Sequence, residues 1–258
     1  MLSDVDANSL ESLWHGPFSG NLILSYQWQL ANIGVLKRMM GMSVFEKKSK
    51  NKVKRHPDRA IYDKDVIYQI IDEAIICHVG FAQGKQPYVI PTLHARRGDE
   101  ILLHGATTSR LIKHVAAGNE VCITMTLLDG LVLARSVFNH SANYRSAVLF
   151  GRGTLIESRQ EKLQALKDFT EGLIPGRWED VRQPNEKELM ATSIVSIPIQ
   201  LGSAKIRQGP PDDDEPDLEL PVWAGVVPIK QQIGEPTDDP KLKDGITVPE
   251  YLQRYFRN

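Results

Sequence analysis

Residues 103–114 read Leu-His-Gly-Ala-Thr-Thr-Ser-Arg-Leu-Ile-Lys-His. An apolar strand end passes through small and hydroxyl residues into the first turn of a helix, with Arg110 and Lys113 three apart on one face. That is how a chain without a P-loop holds a phosphate. The free N–H groups of a first helical turn, the hydroxyls of Thr107, Thr108 and Ser109, and two cationic side chains would converge on one anion. The plainer alternative is a helix capped by Thr108 whose Arg110 and Lys113 form a solvated face. The flanking sequence decides between them.

Upstream, Asp63 is placed to cap a short helix with Val66, Ile67, Ile70, Ile71 and Ala74 on one face. Strand patterns follow over 75–82, 87–95 and 100–104, separated by the turn signals Gln83-Gly84-Lys85 and Arg97-Gly98-Asp99. An antiparallel meander therefore leads directly into the phosphate-like segment. Downstream, the helix over 109–117 turns Leu111, Ile112, Val115 and Ala116 inward and stops at Gly118. Residues 120–126 alternate as a strand, and Asp129-Gly130 predicts a tight hairpin into 131–137. A long strand is expected over 144–157, where Gly151 and Gly153 mark a bulge or a close backbone approach.

A second amphipathic helix is expected over 161–173, with Leu163, Leu166, Phe169 and Leu173 inward and Pro175-Gly176 as its stop. After a polar crossing come strands over 193–199, 202–208 and 224–229, then a short helix over 249–256. Strands outnumber helices and tight turns join most of them. The architecture expected is mainly β with helices, an α+β chain built on a closed or nearly closed antiparallel barrel.

The 258 residues suffice for a sizeable core, and the formal net charge of -1 gives no overall attraction to nucleic acid or anionic membrane. Charge is unevenly spread, basic over 47–59 and acidic over 212–217. The basic run lacks the interleaved aromatics of a nucleic-acid arm. Two cysteines, Cys77 and Cys122, each lie in an apolar run, so both are expected as buried structural thiols in a reducing, cytoplasmic compartment. No apolar stretch approaches the roughly 20 residues that span a bilayer. Residues 1–58 lack periodicity and carry a lysine run, and are expected as a poorly ordered extension. Residues 59–230 would form the barrel and 231–258 a tail with its short helix.

Residues 139–146, Asn-His-Ser-Ala-Asn-Tyr-Arg-Ser, pack hydrogen-bonding groups, an aromatic and a cation at the entrance of an apolar strand. Polar groups so placed need partners, often a ligand or a subunit interface. With the Phe-x5-Tyr-Arg-Ser-x3-Phe-Gly pattern of 138–151, the Tyr-Val-Ile-Pro of 88–91 and the Leu-His-Gly-Ala of 103–106, the chain resembles the FMN-binding split barrels related to pyridoxamine 5′-phosphate oxidase. It is most similar to the flavin-nucleotide-binding branch that includes nitroimidazole-resistance reductases.

The resemblance covers about residues 55–230 and implies a six-stranded antiparallel Greek-key split barrel that forms a homodimer, with FMN in the groove between subunits. It implies that Ser109 and Arg110 bind the FMN phosphate, supported by Thr107, Thr108 and Lys113. The backbone of Ile90, Pro91 and Thr92 would run along the isoalloxazine edge, with His104 near the ring. Tyr144, Arg145 and Ser146 would contribute to the groove, and Trp223 would line its open face or anchor the dimer. The chain has Leu111 where the oxidases tend to place Lys, and lacks their C-terminal Arg-Leu-x-Pro.

FMN oxidoreductase chemistry on a small molecule is the expected function, and a flavin- or haem-binding module without turnover is the alternative. Candidates for orienting or protonating a substrate are His104, His140, Lys205 and Arg207, the last two sharing one side of a strand. His94 and His114 are expected as surface or hydrogen-bonded residues. No zinc-type Cys/His spacing is present, and Cys77-His78 sit on opposite strand faces. No metal site is expected.

Overall fold

The computed structural model describes residues 43–255. Asp63 caps α1 (Lys64–Glu73) as expected, accepting from the backbone of Asp65 and Val66 at 3.0 and 3.2 Å. Ile67, Ile70 and Ile71, on one face of that helix, are buried. The meander then runs through β2 (Ile76–Gln83), β3 (Gln86–Leu93), β4 (Ala95–Arg97) and β5 (Glu100–Ala106). Gly84 and Gly98 turn its two hairpins at φ 58° and 57°, where a Cβ would be strained.

After α2 (Arg110–Ala116) come β6 (Glu120–Leu133), β7 (Ser141–Arg152) and β8 (Thr154–Leu155). The chain continues through α3 (Arg159–Leu173), α4 (Arg177–Asp180), α5 (Glu186–Ala191), β9 (Thr192–Pro198), β10 (Leu201–Arg207), β11 (Gly225–Pro228) and α6 (Glu250–Tyr255). With β1 (Ala60–Ile61), the strands form two antiparallel sheets. One has the order β1-β10-β7-β6-β2-β3 with β11 added to β6, and the other runs β4-β5-β9-β8. The sheet is not closed, which fits a split barrel. The short strands β1, β4, β8 and β11 extend the longer antiparallel strands.

The main core lies between the sheets and under α1 and α2, with Val79, Ile101, Leu103, Val115, Ile123, Met125, Leu149 and Ile197 essentially inaccessible. A smaller cluster, Leu102, Ala165, Phe169 and Ile194 among it, seats α3 on the outer face of the second sheet. Gly151 and Gly153 lie where β7 crosses to β8. A Cβ on Gly151 would come 2.4 Å from the Pro198 carbonyl oxygen, and one on Gly153 would come 2.4 Å from a Val115 methyl. The close approach expected from the sequence is present.

Four expectations change. Asp129-Gly130 is not a hairpin tip: β6 continues to Leu133 with a bulge between Leu128 and Gly130, because β7 pairs along one edge of it and β11 along the other. The return to β7 comes only at 134–140. Residues 43–58 pack on the barrel: Phe45 is buried against the core, Asn51 bonds the Gly202 carbonyl at 2.9 Å, and Val44 bridges to Asp63. The rest of the expected extension, residues 1–42, lies outside the described residues. Cys77 is fully buried but Cys122 is half-buried. The polar crossing after α3 holds two helices, α4 and α5, the latter closed by a capping box between Asn185 and Glu188.

Candidate functional site

The helix start is capped by Ser109, not Thr108: the Ser109 hydroxyl accepts from the Ile112 N–H at 3.5 Å. Leu111, Ile112 and Val115 bury one side of α2, which leaves Thr107, Thr108, Arg110 and Lys113 exposed on the other. The Arg110 guanidinium lies 4.3 Å from the ring centroid of Tyr88, on β3. Tyr88 stacks on Phe81 at 5.4 Å, and Phe81 meets the His114 ring at 4.6 Å. This aromatic row fixes α2 against the β2–β3 hairpin. Lys113 faces the hairpin end instead, lining a shallow cleft of about 400 Å³ with Gln83, Gly84, His114 and Asn119.

The Arg110–Tyr88 contact joins the hydroxyl-and-cation cluster to an open sheet edge, because β3 has β2 as its only neighbour among the described strands. In an antiparallel pair each residue turns both its N–H and its C=O toward the partner or both away. Pro87 and Pro91 have no N–H, and an edge strand accommodates them where their nitrogens face away from β2. The same parity leaves the carbonyls of Pro87, Val89, Pro91 and Leu93, with the N–H groups of Val89 and Leu93, on the open edge. Ile90 and Thr92 flank those groups with half-buried side chains.

The other expected residues lie elsewhere. Tyr144, Arg145 and Ser146 open β7, which β6 and β2 separate from β3. Three strand spacings of about 4.8 Å put them roughly 14 Å from β3 along the sheet. Arg145 is engaged on both sides: Nη2 bonds Glu73 at 2.7 Å and Asp129 at 2.8 Å, Nε bonds Asp129 at 3.1 Å, and Nη1 also bonds Glu73. Hydrogen bonds to Glu73 and then Asp129 raise its pKa further above the ordinary arginine value. Ser146 donates to the Lys205 carbonyl at 3.2 Å, and Tyr144 sits between Leu128 and Arg207 in register.

Of the substrate-directed candidates, Arg207 is buried and holds the 207–210 bend. It bonds the Asn143 side chain and the carbonyls of Gly209 and Pro210, the latter at 3.0 Å. That makes it a structural clasp, with burial lowering its pKa. Lys205, two positions away, stays half-buried. His104 alternates with the barrel residues Ile101 and Leu103, so it points toward α3, edge-on to Phe169 at 4.4 Å. Partial desolvation against that ring lowers its pKa, although the residue as a whole stays exposed. Trp223 is exposed and stands over Gly225 just before β11. His140 is exposed and bonded to its own loop.

Sequence reasoning missed the roles of Tyr88, Glu73 and Asp129. Tyr88 belongs to the quoted Tyr-Val-Ile-Pro motif, but its ring contact spans 22 residues and has no local signal. The partners of Arg145 are 72 and 16 residues away. His94, expected as surface or hydrogen-bonded, is buried and bonds the Ile71 carbonyl at 2.9 Å.

The family profile described as pyridoxamine 5'-phosphate oxidase matches residues 63–206. Among solved structures, the flavocytochrome Anf3 from Azotobacter vinelandii is 40% identical, with a TM-score of 0.77 over 80% of this chain and 96% of that one. The FAD and heme binding protein from Mycobacterium smegmatis is 33% identical, with a TM-score of 0.73 over 76% of this chain and 96% of that one. No curated protein matches. The profile spans more than half of the sequence, and the first of these structures shares its fold across four-fifths of it. The chain therefore belongs to the pyridoxamine 5′-phosphate oxidase family.

Proposed function

We propose that this chain is a flavin-dependent oxidoreductase that works as a homodimer. The observation carrying the reading is the Arg110–Tyr88 contact, which sets a cluster suited to an anion beside the open-edge backbone groups of Val89 and Pro91 on β3. A flavin needs both at once. Arg110, Thr107, Thr108 and Ser109 fit its ribityl phosphate, with Lys113 adding charge at longer range. The Pro91 carbonyl and the Val89 N–H and carbonyl fit the donor and acceptor edge of the isoalloxazine ring.

FMN, with one phosphate and one isoalloxazine ring, matches the cradle and the strand edge in this reading. FAD, which the Mycobacterium smegmatis relative binds together with heme, carries the same inner phosphate and would extend from the same cradle. The bound flavin supplies hydride or electron transfer through its ring. The protein's residues bind and orient it and restrict access to it.

Distance supports the homodimer. Tyr144 and Ser146 lie too far along one sheet to reach a flavin held at β3 of the same chain. Ile76, Val89 and Leu128 are exposed at 42%, 66% and 46% on the outer sheet face, opposite the core side chains of their strands. A second copy packed there would cover this apolar surface and bring its own β7 entrance to the first copy's β3.

The test is an absorption spectrum of purified protein, followed by release and chromatographic identification of the flavin. Arg110→Ala is expected to weaken binding by about 1.5–3 kcal/mol, the scale of a charge-assisted hydrogen bond. No flavin bound after incubation with FMN and with FAD would overturn the reading. An unchanged affinity in Arg110→Ala would remove that residue from the cradle.

A further inference from the structure

Between β11 and α6 the chain runs through residues 229–247, every one of them exposed. Beyond Ile229, the hydrogen bonds this segment makes among the described residues are all internal. The N–H groups of Lys241 and Leu242 donate to Asp239 at 2.8 Å each, and that of Ile246 donates to the Lys243 carbonyl at 3.3 Å. None of its charged side chains forms an ion pair with another described residue.

The segment is nonetheless held at both ends. β11 pairs along β6 from Gly225 to Pro228, and the Ile229 N–H then donates to the Asp129 carbonyl at 3.0 Å. At the far end Tyr251, on α6, donates to Asp180 at 2.6 Å and accepts from Arg177 Nη1 at 3.0 Å, with its ring over Gly176. Tethering a chain at both ends costs conformational entropy, and no hydrogen bond or ion pair between the two tethers offsets it within this copy.

Composition argues against a merely solvated linker. Such linkers are poor in large aliphatic residues, whereas Ile229, Ile233, Leu242 and Ile246 stand 37%, 42%, 39% and 53% exposed along this one. The segment also starts where the apolar outer face of the sheet ends. Leu131 and Val227 lie opposite each other in register there, 45% and 42% exposed, with Leu128 on the same face. That sheet patch is small beside the roughly 20–30 residues that a stable interface presents on each side. The exposed segment continues it and supplies the missing surface.

We propose that residues 229–247 form an arm that lies across a second copy of this chain. Two-fold symmetry then gives each copy one arm and one surface that receives an arm. The inference rests on the homodimer proposed above and adds the segment that holds the two copies together. It uses none of the flavin cradle residues.

The experiment places p-benzoylphenylalanine at position 242 of the full-length protein and irradiates it at a concentration where wild type sediments as a dimer. A crosslinked species of twice the chain mass is expected, in a yield that dilution within the dimer range leaves unchanged. A second variant combines Ile233→Asp, Leu242→Asp and Ile246→Asp, three side chains exposed on their own chain. Its dimer dissociation constant should rise roughly tenfold or more, with the circular dichroism of the monomer unchanged. A crosslink confined to one chain, on residues 1–42 or elsewhere, or an unaltered dissociation constant in the triple variant, would overturn the arm and leave the homodimer standing. A wild type that stays monomeric with flavin added would overturn both. Flavin absorbance of the same samples reports on the cradle alone, so a dimer that binds no flavin would remove the flavin reading and leave the arm in place.

Discussion

At the scale of the residue, this chain uses arginine in two ways that composition does not distinguish. Arg110 rests on an aromatic face with its donors open to a ligand, whereas Arg145 and Arg207 close internal contacts. Arg145 ties the end of α1 to the β6 bulge and the entrance of β7, because Glu73, Asp129 and Arg145 belong to those three elements. Arg145→Met should therefore leave two carboxylates near each other without their shared cation. Glu73 is half exposed and relaxes into water, which limits the cost to about 1–2 kcal/mol. Urea denaturation measures it, and further substitution of Asp129→Asn should recover part of the loss. If the double variant is no more stable than Arg145→Met alone, the clasp contributes nothing through charge. The motif Asn-Tyr-Arg-Ser was legible as a polar strand entrance, but its internal partners were not, since ion pairs across 72 residues leave no periodic trace.

At the scale of the element, two predictions separate packing from charge. A Cβ on Gly151 meets a backbone carbonyl, which cannot rotate away, so Gly151→Ala must shift β9 or β7 and should cost about 1–3 kcal/mol in urea unfolding. Stability equal to wild type would mean that the two strands separate there at no cost. α5 depends instead on Glu188, whose pKa falls to about 2 through its hydrogen bonds to Arg182 and the Asn185 backbone. A carboxyl held below its unfolded value stabilises the fold above the unfolded pKa and loses that contribution as pH falls through the folded one. Amide protection over 186–191, taken relative to the intrinsic exchange rate at each pH, should therefore fall between about pH 4.5 and pH 2. In Glu188→Gln that acid dependence should disappear.

Most elements were readable because alternation and helical spacing persist where one face is buried, as in β6 and α1. The Asp129-Gly130 signal failed because turn chemistry is local, while the continuation of β6 is decided by β7 and β11 on its two edges. Phe45 was missed because a single buried aromatic in a basic, aperiodic segment has no pattern around it.

At the scale of the whole molecule, the proposed site is divided: the phosphate cradle and open strand edge lie at one end of the seven-stranded sheet, and the β7 entrance lies three strands away. If a second copy completes the groove, flavin binding and self-association are one linked equilibrium. Flavin then stabilises the dimer by the same free energy by which dimerisation tightens flavin. Diluting the flavin-loaded protein through its dimer dissociation range should release flavin in step with the fall in sedimentation coefficient, and adding free flavin should shift both midpoints to lower protein concentration. A charge placed on the outer sheet face, Val89→Glu, should weaken both together while leaving the monomer folded, because that side chain is exposed and clear of the core. Flavin affinity that stays constant while the dimer dissociates would show that one chain holds the whole site, and would place the β7 entrance outside it.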